Sequence, residues 1–163
     1  MKRLIIPGLC FAAASLCHAE ASIKVSQGDG GVLYSRIEST PLTADEIKST
    51  RMMATAEVTA STTNITGTVN QPVVVKSWHT VCFSTMFTTE ADYSFVLDIG
   101  GQQTVVSEHI VIPNKQRTCV TKELYKQVTF ASPGSYRYSA SSIGTTQMAG
   151  KKETHSDAYI FVR

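Results

Sequence analysis

Trp78-His79-Thr80-Val81-Cys82-Phe83 and Arg117-Thr118-Cys119-Val120 bracket the stretch whose reading decides the fold. Each cysteine sits in a short run of β-branched and aromatic residues, a composition that suits a pleated, half-buried strand. Between them lie Tyr93-Ser94-Phe95-Val96-Leu97-Asp98-Ile99, a Gly100-Gly101 turn and Thr104-Val105-Val106. Phe95, Leu97 and Ile99 alternate with Ser94 and Asp98, the period of a strand with one face buried. A bond between Cys82 and Cys119 ties every strand between them into one closed loop.

The same pattern continues on both sides. From His79 to Thr88, Val81, Phe83 and Phe87 are expected on one face, with Cys82 and Met86 on the other. Ile110-Val111-Ile112 stops at the Pro113-Asn114 turn, and Leu124, Val128 and Phe130 alternate with Tyr125, Gln127 and Thr129. Pro133-Gly134 leads into Tyr136, Tyr138 and Ala140, and Ala158, Ile160 and Val162 alternate with Tyr159 and Phe161. Turn signals about every 8–12 residues, with no helical crossover after Pro72, predict antiparallel sheets. The fold class is all-β: an antiparallel, immunoglobulin-like β-sandwich over residues 56–163, preceded by a less regular N-terminal arm with one short helix. Trp78 and Tyr136 are expected to pack inward, while Tyr125 and Tyr159 stay open between packing and a binding platform.

The arm, residues 20–55, carries weaker signals. Ser22-Ile23-Lys24-Val25-Ser26, the turn Gly28-Asp29-Gly30-Gly31 and Val32–Ile37 read as a hairpin. No helix or lysine follows at the spacing of a phosphate-binding loop. Thr43-Ala44-Asp45-Glu46 has the capping-box pattern and predicts a helix from Ala44 to Ala54, with Ala44, Ile47, Arg51 and Ala54 on one face. Thr55 to Val69 is rich in threonine and serine with period-2 alternation, which favours an edge strand over a flexible linker. Thr59, Ile65 and Val69 mark this expected interaction edge, because side chains that are small and, except for Glu57, uncharged leave it unprotected against strand addition.

Met1-Lys2-Arg3, the apolar run Leu4–Leu16 and Cys17-His18-Ala19 have the three regions of a secretory signal peptide over residues 1–19. The run is too short to span a bilayer, and no later transmembrane segment is visible. Lys2 and Arg3 leave with the signal, so basic and acidic residues balance and no basic stripe for nucleic acid remains. Cys10 and Cys17 leave too, and the remaining pair, Cys82 and Cys119, is expected to form a disulfide in an exported, periplasmic or extracellular protein.

Catalytic chemistry finds little support. His79, His109 and His155 lack the spacing of a zinc site, and no Gly-x-Ser-x-Gly turn is present. No cofactor, metal or catalytic residue is expected. Asn64-Ile65-Thr66 matches an N-glycosylation sequon.

Two stretches resemble known families. Phe130–Ala140 resembles the penultimate hairpin of immunoglobulin-like domains, which implies a tyrosine whose hydroxyl locks the corner. Val58–Pro72 resembles the N-terminal donor segment of chaperone–usher fimbrial subunits, which implies assembly by strand addition; Val162 stands where that family has a penultimate tyrosine. The leading functional expectation is a non-enzymatic module making protein–protein contacts, with a protein partner or self-association. The alternatives are a fimbrial or surface-polymer subunit, a periplasmic component of a secretion or envelope assembly, and a small secreted enzyme or inhibitor.

Overall fold

The computed structural model describes residues 23–24, 30–50 and 54–163. The expected signal peptide, the turn residues Gly28 and Asp29, and Arg51 lie outside the described residues. In chain order the elements are β1 (Ile23–Lys24), β2 (Gly30–Pro41), α1 (Ala44–Ser49), β3 (Ala54–Ser61), β4 (Ile65–Gly67), β5 (Pro72–Thr85), β6 (Thr89–Ile99), β7 (Gln102–Ile112), β8 (Gln116–Phe130), β9 (Gly134–Thr146) and β10 (Gly150–Val162).

They form two sheets. In the first, β8 and β5 are central, β3 is one edge, and β2 and β1 pair with the other side of β8. The second runs β4-β10-β9-β6-β7. All pairings are antiparallel except that of β4 with β10. In immunoglobulin terms β3, β5 and β8 take the A, B and E places, and β10, β9, β6 and β7 take G, F, C and C′. The D place beside E is filled by β2, which arrives from the N-terminal side of the domain.

The core is built as the alternation predicts. Val75, Val81, Phe83, Val120, Leu124 and Phe130 of the first sheet meet Phe95, Leu97, Ile99, Tyr138 and Ile160 of the second, all essentially without solvent contact. Tyr136 Oη donates to Ser132 O at 2.7 Å and closes the corner before β9. Gly144 is required by close packing: an added Cβ would lie 2.6 Å from Val81 Cγ2 and 3.1 Å from Phe83 Cζ.

Several expectations need correction. Among the described residues the expected hairpin pairing is not found: β1 and β2 both pair with β8, at Thr129–Phe130 and Gln116–Lys126 respectively. The described strands of the arm are therefore laddered into the first sheet, and the boundary at residues 55/56 falls within β3. The capping box is present, with Glu46 N donating to Thr43 Oγ1 and Thr43 N donating to Glu46 Oε2, but α1 ends at Ser49 and Ala54 is already a buried strand residue. The helix face was too weakly apolar to extend it. Phe87 is not on the core face: β5 ends at Thr85, and Phe87 stands exposed in the turn that follows.

Candidate interaction surface

Along β5 the inward row is Val73, Val75, Ser77, His79, Val81, Phe83 and Thr85, with Ser84 also buried at the strand's end. Ser77 and His79 thus occupy the middle of the inner row, and their apolar neighbour Trp78 is turned outward, 45% exposed. This reverses the expectation for Trp78, whereas Tyr136 is buried as expected. The physical reason is that Ser77 and His79 satisfy each other inside. Ser142 Oγ donates to Thr59 O at 2.7 Å, so it accepts from His79 Nδ1 at 3.0 Å. His79 Nε2 is then left unprotonated, and accepts from Ser77 Oγ at 2.7 Å. Each member has its partner, so the burial is affordable. Desolvation pushes the His79 pKa down from 6.5 to about 4, and the ring stacks on Phe95 at 5.1 Å.

Trp78 does not stand alone outside. Tyr34 on β2, Glu123 on β8 and Trp78 on β5 are register partners in one row, and the Tyr34 and Trp78 rings meet over Glu123 at 5.5 Å and 50°. Lys76 Nζ lies 3.3 Å from Glu123 Oε1 at the side of this row. Exposed Val74 is on the same face, and Tyr125, paired with Lys76, is half-buried there. The next row holds Arg36, Thr121, Thr80 and Thr59, and the one beyond holds Glu38, Cys119, Cys82 and Glu57.

Cys82 and Cys119 are bonded, at directly paired positions of β5 and β8 and on this outer face, not between the sheets. Beside them Arg117 Nη2 donates to Glu57 Oε2 at 2.7 Å, and Arg117 Nη1 lies 3.6 Å from Glu46 Oε1. The hydrogen bond from Thr43 is the main cause of a lowered Glu46 pKa, with Arg117 adding to it.

The expected edge, Thr59 with Ile65 and Val69, is not one strand. It breaks after Ser61 and is shared between the sheets: β3 pairs with β5, and β4 with β10. The crossing is fastened by Tyr138 Oη, which accepts from Thr63 N and donates to Thr63 O at 2.6 Å, and by Tyr159 N, which donates to Asn64 Oδ1 at 2.9 Å. Thr59 remains exposed on β3, Ile65 is half-buried opposite Ile160, and Val69 N donates to Arg163 O at 3.0 Å.

The other histidines are engaged by carboxylates. His109 Nδ1 lies 2.9 Å from Asp92 Oδ1, and this hydrogen bond raises its pKa. His155 Nε2 is 3.1 Å from Glu153, while Asp157, two residues on, is held by Arg137 at 2.8 Å, so His155 and Asp157 belong to two separate pairs. On the inner side, Lys122 Nζ of β8 and Tyr93 Oη both donate to Glu108 of β7, joining the sheets. These bonds, that of Lys122 first, lower the Glu108 pKa. Among the described residues no group of three or more His, Cys, Asp or Glu is placed to hold a metal ion, and no helix is long and apolar enough to cross a membrane.

No protein-family model matches the chain, and no curated protein matches it in sequence. Among solved structures it is similar to the CARDB domain of the PF1109 protein from Pyrococcus furiosus, solved in complex with di-metal ions, at 14% identity and a TM-score of 0.35 over 67% of this chain and 91% of that one. It is also similar to an ASH/PapD-like domain of human CEP192, at 7% identity and a TM-score of 0.31 over 65% and 84% of the two chains. A β-glucosidase from Listeria innocua, solved with glucose, aligns at 12% identity and a TM-score of 0.36 over 68% of this chain but 17% of its own length.

Proposed function

We propose that the chain is an exported, non-enzymatic β-sandwich module that makes protein–protein contacts through the outer face of its first sheet. The observation that carries the reading is the Tyr34–Trp78 pair, large aromatic side chains held open to solvent on a disulfide-braced sheet. Rigid aromatics bring large contact area at low entropic cost and are the residues most enriched at the centres of protein interfaces. Polar groups surround them, with Lys76 and Glu123 at one side and Arg36 and Thr59 in the next row, the composition of an interface rim. Thr59, expected at a strand-addition edge, lies on β3 in the row next to this pair, while Ile65 and Val69 are engaged by β10 and the chain end beyond it.

The alternative of a small secreted enzyme gains nothing from the buried serine–histidine contacts. The Ser77–His79–Ser142 chain is sealed in the core, where a substrate has no access.

A photo-activatable residue placed at position 78 tests the reading in the protein's native compartment. Irradiation is expected to link the chain covalently to a protein, and the same residue at Thr145, on the outer face of the second sheet, is expected not to. Absence of any protein adduct from position 78 contradicts the proposal.

A further inference from the structure

We propose that two copies of this chain pair β2 with β2 across a two-fold axis at Ile37, joining their first sheets into one continuous sheet. This goes beyond the aromatic contact face, because the partner is a second copy and the contact is a strand edge.

The backbone settles which groups of β2 are free. Cys82 and Cys119 have Cα atoms 4.0 Å apart, the narrow, non-hydrogen-bonded kind of antiparallel pair, so the Cys119 amide and carbonyl face β2. Glu38 is their partner in register and spends its own groups on them. The bond from Leu42 N to Lys115 O, 2.9 Å, lies on the same alternation. Thr40, Glu38 and Arg36 therefore face β8, and Ser35, Ile37 and Ser39 turn their N–H and C=O away from it. Among the described residues nothing pairs with that outer edge. Such edges are usually shielded or used.

The sequence of β2 is self-complementary about Ile37. Arg36 and Glu38 are an ion pair within one chain, and an antiparallel copy in that register sets Arg36 opposite Glu38 of the second copy, and Glu38 opposite its Arg36, joining two such pairs on the outer face. Opposite charges at facing positions stabilise a strand pair, and like charges destabilise it. Moving the pairing to the neighbouring two-fold registers sets Arg36 against Arg36, or Glu38 against Glu38. On the inner face the same axis brings Ile37 onto Ile37. That side chain points to the core side, opposite Val120, yet is 54% exposed. Ser35 and Ser39 face each other beyond it, and Pro41, with no N–H to give, ends the ladder. The contact is isologous and closes at two copies.

The test is sedimentation velocity on the purified mature chain across a concentration series. The wild type is expected to show a reversible monomer–dimer equilibrium. Arg36→Glu or Glu38→Arg alone sets like charges face to face and is expected to weaken the dimer by about tenfold or more. The double exchange Arg36→Glu/Glu38→Arg restores the complement and returns the affinity to within about threefold of wild type. Ile37→Pro removes only an outward donor and is expected to abolish the dimer while near-ultraviolet circular dichroism stays native. Should a single reversal misfold, Arg36→Gln and Glu38→Gln replace the pair, each expected to weaken association. A wild type that is monomeric throughout, or single and double reversals of equal affinity, overturns the proposal. Neither outcome bears on the position-78 cross-link.

Discussion

His79 Nδ1 and Ser142 Oγ meet at 3.0 Å across the two sheets, and the serine passes the bond on to Thr59 O in the edge strand β3. A neutral imidazole thus joins β5, β9 and β3 at the centre of the sandwich. The folded chain keeps His79 neutral down to about pH 4, whereas in the unfolded chain it titrates near 6.5. The unfolded state takes up the proton first, so this contribution is complete above pH 6.5 and is lost as the pH falls toward 4. Denaturant unfolding is expected to show a loss of about 2 kcal/mol between about pH 7 and pH 5. His79→Ala removes that slope and, by opening a cavity and stranding Ser77, costs about 3 kcal/mol at neutral pH. An unchanged slope in the variant contradicts the assignment.

The disulfide braces a pair of strands that are already laddered, so its value lies in the unfolded state. It closes a loop with a sequence separation of 37 residues. Replacing both cysteines by alanine on this outer face opens no core cavity, and unfolding in denaturant is expected to show a loss of about 4 kcal/mol. Thiol titration of the unreduced, denatured exported protein should find no free cysteine.

Gly144 sits where Val81 and Phe83 press against β9. Gly144→Ala is expected to cost about 1–3 kcal/mol by overpacking. Combining it with Val81→Ala should cost less than the sum of the single changes, because the added methyl group enters the space that Val81 vacates. Additive values argue against the contact.

How much of this was legible in the sequence follows the inner rows of the strands. Phe95, Leu97 and Ile99, or Ala158, Ile160 and Val162, announce their faces because these consecutive inward residues are all apolar. β5 misleads because Ser77 and His79 are inward and Trp78 outward, and only their mutual hydrogen bonds make that arrangement stable. The signal was present in the unbroken spacing Val75, Ser77, His79, Val81, but hydropathy ranks it the wrong way. The arm was harder still. Val32 and Ile37 look like half of a local hairpin, and nothing local reveals that β2 pairs with a strand some eighty residues later in the chain, as Ile37 does with Val120.

The hydrophobic core cluster holds no residue from the described part of the arm, although Leu42 and Thr50 are buried. A shortened chain beginning at Ala54 is therefore expected to melt cooperatively, a few degrees below the mature protein, as two buried side chains and the pairings of β1 and β2 with β8 are lost. An unfolded product would show that β2 is indispensable to the core.

Hydrogen exchange along β2 tests the account most directly, since both the aromatic face and the edge need this strand in place beside β8. At low micromolar concentration the amides of Arg36, Glu38, Thr40 and Leu42 are predicted to be protected, and those of Ser35, Ile37 and Ser39 to exchange quickly. Uniformly fast exchange from Tyr34 to Leu42 would contradict the account, because Tyr34 would then have no scaffold to hold it against Trp78.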